Sequence, residues 1–396
     1  MKYVIIIPDG APDQPLEVLG NRTPLQAASL PALDSLAAQG RLGTASISAS
    51  GRLYGEADVH LGVLGYDPQR HRAGEGALCA HARGIDIRPD DQVFCCNLVT
   101  VIDGYLRDFT AGFISPAEAG PLIDALNAAF RSEGFRFHLG GGYRNLCVWE
   151  NAGPLPKLHT TPPETILGQA TGRHAPRGDR SKALGELMLK AHELLGEHDV
   201  NIVRQDLGEN PATAIWLWGH GPLPALPLFQ QRHGVRGAVM AESDVVSGIG
   251  RLIGWELLDP TAGTDRADNY YSTEGRAAVA AVDSFDLVCV HTQAPHTLGL
   301  LGRVAERTAA LEALDRHVVA PLLERLRAES EWRVLVLPAW AGSVGRHPEL
   351  GSRTPFVLAG SGIESNRGEV FDEESAAAGE LHPDRASDLM EYFLRR

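Results

Sequence analysis

The sequence predicts an α/β fold with a mostly parallel sheet, into which a smaller α+β unit is inserted. Three observations predict it: a length of 396 residues, short apolar runs that alternate with helical patterns, and a middle region whose strands flank one helix. A chain of this length exceeds the usual size of a single hydrophobic core, so we expect two structural units. Strands that alternate with helices favour a parallel sheet covered on both faces.

The elements of the predicted core are short apolar runs that end in turns, and helical patterns with a period of three to four residues. Strands are predicted at 3–7, 215–218, 287–290, 333–337 and 355–358, and helices at 32–39, 245–253, 273–282 and 303–327. In such folds functional side chains follow the carboxyl ends of strands. Asp9 and His291 both come directly after strand-like runs, so we expect both at that edge of the sheet.

The middle of the chain reads as a separate α+β unit. Strands are predicted at 95–102, 105–109, 135–139 and 145–149 around a helix at 116–131, with hairpin turns at 103–104 and 140–142. A loop rich in Pro, Gly and Arg then leads into a helical pattern at 181–195. We therefore predict a core formed by residues 1–90 and 181–396, and an inserted unit formed by residues 91–180.

Composition limits the partners and the compartment. The net charge of −14 argues against nucleic acid and anionic membranes, which need clustered Lys and Arg. The first apolar run is short and ends at Pro8, so it predicts a strand rather than a signal peptide, and no run is long enough to span a membrane. Five cysteines without a Cys-x-x-Cys spacing predict buried thiols. We expect a cytoplasmic protein.

The most specific motif is the stretch 55–60, which reads GEADVH and is followed at 61–68 by LGVLGYDP. Together with YVIIIPDG at 3–10, it resembles the N-terminal signature of the archaeal-type cofactor-independent phosphoglycerate mutases, glycolytic isomerases of the alkaline phosphatase superfamily. Segments such as RDFTAG at 107–112 and DRHVV at 315–319 are similar to later family segments in family order. The resemblance implies an alkaline-phosphatase-like core with a smaller α+β cap domain.

The resemblance also implies a mechanism, in which a serine carries the phosphoryl group and two divalent metals (Mn, Zn or Mg) activate it. A serine hydroxyl is a weak nucleophile until a metal or base lowers its pKa. In this chain Glu56 stands at the nucleophile position. Loss of a nucleophile alone costs on the order of 10⁶ in turnover. Ser48 or Ser50 could replace the nucleophile only if the spacing to the LGVLGYDP run were broken.

Most of the metal ligands that the family pattern implies are also replaced. Asp9 matches the first ligand, and His347 corresponds to a late histidine. The other positions carry residues that differ from the family pattern: Ala57 (with Asp58 one residue further), His296, Leu300, Ala339 and Trp340. We therefore predict an incomplete metal site and no bound cofactor. A relocated site for a single metal, built from Asp9, His291 and His296, is an alternative.

Two groups of polar residues are candidates for function. Acid–base roles in the same cleft are assigned to Glu56, Asp58, His60 and His296. Because arginine suits anion recognition, substrate binding is assigned to the segments that contain Arg107, Asp108, Arg144, Arg236 and Arg276. Surface arginines in ion pairs are an equally good account of the latter, and Glu75 replaces a family arginine.

Three hypotheses about function follow. The leading one is a pseudoenzyme-like protein that binds a small anionic or phosphorylated metabolite, or a partner enzyme. The second is an enzyme with altered, metal-poor acid–base chemistry, which would require Glu56, Asp9 and His296 to converge and which a Trp340 side chain in the former metal cavity would disfavour. The third is an active 2-/3-phosphoglycerate mutase whose site is aligned differently.

Overall fold

The computed structural model describes residues 1–47, 55–259, 270–340 and 353–395. These residues form two sheets. The strands are β1 (Lys2–Pro8), β2 (Arg41–Ser46), β3 (Gln92–Ile102), β4 (Tyr105–Asp108), β5 (Phe135–Gly141), β6 (Arg144–Trp149), β7 (Ala214–Trp218), β8 (Gly237–Ala241), β9 (Glu256–Leu257), β10 (Leu287–Thr292), β11 (Trp332–Val336) and β12 (Arg353–Gly360).

Helices cover much of the remaining chain. They are α1 (Pro24–Ala27), α2 (Pro31–Gln39), α3 (Glu56–Val63), α4 (Glu75–Ala82), α5 (Pro116–Phe130), α6 (Ser181–Gly196), α7 (Asp199–Asp206), α8 (Phe229–His233), α9 (Asp244–Leu252), α10 (Tyr270–Ser284), α11 (Ala294–Leu300), α12 (Val304–Leu314), α13 (Ala320–Leu326), α14 (Glu373–Ala377) and α15 (Ser387–Leu394). Within the described residues, no helix is long and apolar enough to cross a membrane.

The first unit comprises residues 1–71 and 224–396 and contains a seven-stranded sheet in the order β2-β12-β11-β1-β10-β8-β9. The pairs formed by β1 with β10 and β11, and by β8 with β10 and β9, are parallel, whereas β12 pairs antiparallel with β11 and β2. This arrangement confirms the predicted α/β class with a mostly parallel sheet.

The central strand β1 owes its place to its composition. From Tyr3 to Ile7 its side chains are apolar and buried on both faces, as a strand covered by helices on either side requires. Val4 and Ile6 share one apolar cluster with side chains of α2, α12 and α13. Asp9 follows this strand directly, and the register pairs Ile7 with His291 of β10.

The second unit comprises residues 72–223 and contains a separate antiparallel sheet in the order β4-β3-β6-β5, with β7 paired to β3. Helix α5 packs on β5. It begins at a capping box in which Ser115 and Glu118 exchange hydrogen bonds with each other's backbone amides, which satisfies donors at the helix start. The five cysteines of the sequence are free and buried, as predicted.

The structure divides the chain at different residues from those predicted. Helix α4 and the whole stretch from α6 to β7 belong to the second unit. The prediction of 215–218 as a core strand was wrong, because β7 pairs antiparallel with β3, with Cys95 opposite Trp218, and α6 packs on β7. Strand alternation alone does not tell which sheet a strand joins.

The long helix predicted at 303–327 is interrupted by a π-helical segment, Asp315–Val319, between α12 and α13. Pro321 lacks the N–H that would bond to the carbonyl of His317 in a regular helix. That carbonyl faces Gly275 of α10 so closely that a Cβ at 275 would lie 1.8 Å from it. The interruption therefore coincides with a proline and with a tight helix crossing.

Candidate active site

The candidate site is centred on the carboxylate of Asp9, at the carboxyl end of β1. One oxygen, Oδ1, accepts a hydrogen bond from the Ala339 amide at 2.9 Å. The other, Oδ2, lies 2.9 Å from Nε2 of His60 and 2.9 Å from Nε2 of His291. All three side chains are fully buried.

Backbone geometry brings these groups together. His291 lies in β10, and its position opposite Ile7 places it beside the residue that follows β1. His60 lies in α3, one turn after Glu56, and its Nδ1 is 2.8 Å from the Glu56 carbonyl. Gly10 adopts a φ of +77°, and a Cβ there would lie 2.3 Å from Cα of His296, so glycine lets α11 approach β1.

Burial and charge perturb the ionisable groups in opposite directions. Burial alone would raise the pKa of Asp9, but the charges and hydrogen bonds of His60 and His291 hold it well below its usual range. For His60, burial alone would lower the pKa, but the carboxylate of Asp9 outweighs it and raises the pKa. The net effect favours an anionic Asp9.

Glu56 occupies the first position of α3, where its side chain is already engaged. Its Oε1 accepts a short hydrogen bond from Oγ of Ser243 and lies 3.5 Å from Nε2 of Gln293. The same Ser243 oxygen caps α9 by accepting from the Val245 amide at 3.1 Å. Glu56 is therefore held by side chains at the starts of α9 and α11.

Two further carboxylates make the surroundings of the site acidic. Glu242 follows β8, and its Oε2 accepts from the amides of Gln293 and Ala294, both at 2.8 Å. Glu274 of α10 is fully buried, and neither of its oxygens has a hydrogen-bond partner among the described residues. Burial, with a smaller contribution from the charge of Glu242, raises the pKa of Glu274 well above its usual value.

Sequence reasoning missed Glu242 because the strand before it, β8, was not predicted. Polar residues after a strand were the signal used for Asp9 and His291, and the run 241–244 reads AESD. Had the apolar run 237–241 been identified as a strand, Glu242 and Ser243 would have been candidates by the same rule.

His296 does not join the Asp9 cluster. Its ring stacks on the indole of Trp340, with centroids 5.8 Å apart and an interplanar angle of 26°. The carbonyl of Trp340 accepts from the Gly10 amide at 3.0 Å, which fixes its backbone beside β1. Of the three groups whose convergence was considered, Asp9 contacts His60, whereas the Glu56 carboxylate contacts Ser243 and Gln293. The His296 ring stacks on Trp340.

The other residues predicted in the first unit are dispersed. Asp58 lies in the first turn of α3 and is half-buried. Arg276 is exposed on α10 and donates to the hydroxyls of Ser272 and Thr273. Arg236 precedes β8, at the opposite edge of the sheet from Asp9, and donates to the Ser284 carbonyl. His347, Ser48 and Ser50 lie outside the described residues.

The remaining predicted binding residues lie in the second unit. The guanidinium of Arg107 lies 5.2 Å from the ring centroid of Tyr105, and that of Arg144 lies 4.9 Å from that of Tyr143. Asp108 is buried, and its carboxylate organises the turn that follows β4. It accepts hydrogen bonds from the amides of Thr110 and Gly112, the Thr110 hydroxyl and the Asn210 side chain.

The donor set around Asp9 fits one metal ion rather than the two that the family pattern requires. Among the described residues, Asp9, His60 and His291 are the group of three potential ligands, with donor atoms within 4.8 Å of one another. The family positions 57, 300 and 339 carry Ala, Leu and Ala, which offer no ligand atom. A two-metal centre is therefore not supported by the residues that the structure describes.

Comparison with known proteins identifies the family. The family model described as 2,3-bisphosphoglycerate-independent phosphoglycerate mutase matches residues 37–201. A protein of that name from Methanothrix thermoacetophila is 37% identical over 395 residues, with 100% of both chains covered. The chain belongs to this family. This confirms the family that the sequence motifs indicated.

Further relatives of the phosphoglycerate mutase family agree. One named 2,3-bisphosphoglycerate-independent phosphoglycerate mutase 2, from Methanothermobacter thermautotrophicus, is 37% identical, with 100% of this chain and 97% of that protein covered. The cofactor-independent phosphoglycerate mutase of Thermoplasma acidophilum matches with a TM-score of 0.56 and 26% identity, covering 99% and 100% of the two chains. The PH0037 protein of Pyrococcus horikoshii, at a TM-score of 0.75, 23% identity and coverages of 99% and 97%, shares the fold.

Proposed function

We propose that this member of the phosphoglycerate mutase family has lost the phosphoserine mechanism and binds a small phosphorylated metabolite without moving its phosphoryl group. The observation that carries the proposal is the side chain at position 56. A glutamate stands where the family places its serine, and its carboxylate is held by the Ser243 hydroxyl.

The electrostatics around Glu56 support the loss of phosphoryl transfer. A phosphoryl group brought to this position would meet the carboxylates of Glu56 and Asp9 and the nearby Glu242, and like charges at close range cost several kcal/mol. Family members place ligands for two metals here, whereas positions 57, 300 and 339 carry apolar side chains. The nucleophile and most of its activating ligands are therefore absent together.

Binding of a phosphorylated metabolite is supported by the arginines of the second unit. Arg107 is exposed, and no acidic side chain among the described residues pairs with it. Arg144 lies in a segment similar to a family segment, and both side chains offer the planar donors that recognise carboxylates and phosphates.

The first experiment is an assay that interconverts 2- and 3-phosphoglycerate in both directions, with Mn²⁺, Zn²⁺ or Mg²⁺ added. The Methanothrix relative serves as the positive control. We expect no turnover above background for the wild type, and none for Glu56→Ser, because the activating ligands are not restored. Turnover by the wild type at a rate near that of the relative would overturn the proposal.

The second experiment measures the melting temperature with and without 3-phosphoglycerate. A ligand that prefers the native state raises it by mass action. We expect a rise for the wild type and for Arg131→Gln, a matched change at an exposed arginine of the second unit, and a smaller rise for Arg107→Gln. If 3-phosphoglycerate and inorganic phosphate both leave the wild type unchanged, the binding part of the proposal is wrong.

A second candidate function is acid–base chemistry that uses His60. The buried pair of His60 and Asp9 favours it, because ionisable groups whose pKa values are perturbed by burial and by a charged partner are candidates for acid–base roles. The stacking of His296 on Trp340 counts against it, because the fourth predicted acid–base group is then occupied by an aromatic contact. Substrate consumption without phosphoryl transfer would identify this alternative.

A further inference from the structure

We propose that Asp9, His60 and His291 bind a single divalent transition metal ion, with Zn²⁺ the ion that fits best. Two of these three ligands, His60 and His291, fall at positions outside the ligand set that the family pattern implies. The inference does not rest on the proposed function, because metal binding is measured without phosphoglycerate. It replaces the sequence-based expectation that no cofactor is bound.

One hydrogen bond fixes the position of a proton on His60. Its Nδ1 lies 2.8 Å from the backbone carbonyl oxygen of Glu56, and a carbonyl oxygen only accepts hydrogen bonds. Nδ1 therefore carries a proton. In a neutral imidazole the other nitrogen, Nε2, is then a lone pair.

The Nε2 lone pair of His60 faces another atom that carries only lone pairs. Nε2 of His60 lies 2.9 Å from Oδ2 of Asp9, a carboxylate oxygen that also has only lone pairs. Two such atoms repel each other at this distance unless a cation lies between them. The cation is either a second proton on His60 or a metal ion bound by both atoms.

The distances between the three donor atoms can be compared with those around a bound metal ion. Both imidazole nitrogens lie 2.9 Å from the same oxygen, and all three atoms lie within 4.8 Å of one another. Ligand atoms about 2.1 Å from a zinc ion lie roughly 3.0–3.4 Å apart, depending on coordination geometry. The two separations from the Asp9 oxygen are therefore close to those of ligands that share an ion.

The surroundings resemble those of histidines that bind metals. Such a histidine usually donates its other N–H to a carbonyl or carboxylate, which fixes its tautomer, and the bond from His60 to Glu56 does so. The second oxygen of Asp9 is likewise fixed by the Ala339 amide. The Nε2 atoms of both histidines converge on one oxygen of Asp9.

The donor types select the class of metal. Two imidazole nitrogens and one carboxylate oxygen suit Zn²⁺ and its neighbours better than Mg²⁺ or Ca²⁺, which prefer oxygen ligands. Three protein ligands leave a coordination position for water or for an anionic ligand. A dication would also offset part of the negative charge of Asp9 and Glu56.

The decisive measurement is the metal content of the wild-type protein, purified without chelators and without a metal-affinity step. We expect close to one zinc per chain, and one equivalent regained after chelation and dialysis into buffer with Zn²⁺. Replacement by Co²⁺ should give visible absorption bands of a site with nitrogen and oxygen ligands. Mg²⁺ should not compete.

Variants then test the ligands. We expect His60→Asn and His291→Asn to weaken Zn²⁺ binding by more than about 100-fold, since losing an outer-shell partner alone costs 10–100-fold. His233→Asn, which changes a histidine of the same unit whose ring packs on Phe229, should bind zinc like the wild type.

The outcome that overturns the proposal does not depend on the variants. Wild-type protein with less than about 0.1 metal per chain, and with no rise in melting temperature on adding Zn²⁺, would mean that a second proton on His60 fills the gap. Two metals per chain would overturn it as well, because the site would then be the complete family set. If a variant fails to fold, the measurements on the wild type still decide the question.

Discussion

The buried carboxyl of Glu274 should make the stability of the protein fall with increasing pH. Glu274 is fully buried, its two oxygens lack hydrogen-bond partners within the described part of the chain, and Glu242 adds a nearby negative charge. Its pKa is therefore higher in the folded chain than in the unfolded chain, so the folded state holds the proton more tightly. Stability contributed by this proton is complete below the unfolded pKa and is lost as pH rises toward the folded pKa.

The size of the effect follows from linkage. Each pH unit between the unfolded pKa, near 4.5, and the folded pKa costs about 1.4 kcal/mol. At pH 7 the upper limit is therefore about 3.4 kcal/mol. For a domain of 150–250 residues, a change of this size moves the melting temperature by roughly 7–14 °C.

The test compares Glu274→Gln with the wild type. Glutamine has the shape of the protonated acid and does not ionise, so the variant should melt at a similar temperature near pH 4.5 and at a higher one above pH 6. Glu324→Gln, an exposed position on α13, is the control and should follow the wild type at every pH. A difference in melting temperature between the wild type and Glu274→Gln that stays constant from pH 4.5 to 8 would refute the reasoning.

Two further predictions concern buried charges with partners. Asp108→Ala should lower the free energy of unfolding by about 2–4 kcal/mol, because the Asp108 carboxylate holds the turn after β4. The same change should speed amide hydrogen exchange at Gly112, and an unchanged exchange rate would contradict the prediction. Arg307→Ala should cost about 3–5 kcal/mol in urea denaturation, because it leaves Asp13 buried without its ion pair. The exposed Arg303→Ala should cost less than about 0.5 kcal/mol, and equal effects at the two arginines would argue against the buried pair.

The sequence predicted best those site residues that follow a recognisable strand and also carry a reactive side chain. Asp9 and His291 were placed at strand ends from apolar runs alone, and the parallel pairing of β1 with β10 brings them within 2.9 Å. His60 was predicted in another way. The family resemblance pointed to its segment, but it did not show that the segment forms a helix. Its contact with Asp9 depends on the tertiary arrangement of α3, which no local pattern shows.

Other features were hidden because local sequence does not report burial. In the run Glu274-Gly275-Arg276 the arginine was the candidate, yet it is exposed and the glutamate is buried. The reason is the close approach of Gly275 to the His317 carbonyl, which turns that face of α10 inward. Likewise, the prediction assigned β7 to the wrong unit, because its partner strand, β3, lies more than a hundred residues earlier in the chain.

The sheet order of the first unit sets the sequence of events during synthesis. Strand β1 leaves the ribosome before the other described strands, but its neighbours are β10 and β11, with Lys2 opposite Trp332. At about 5–20 residues per second, β1 waits roughly 15–65 s for that partner. The second unit, whose strands are complete by Trp218, has its full sheet long before then. The apolar run 3–7 is therefore exposed during translation, and we expect protein yield to depend on chaperones that cover it.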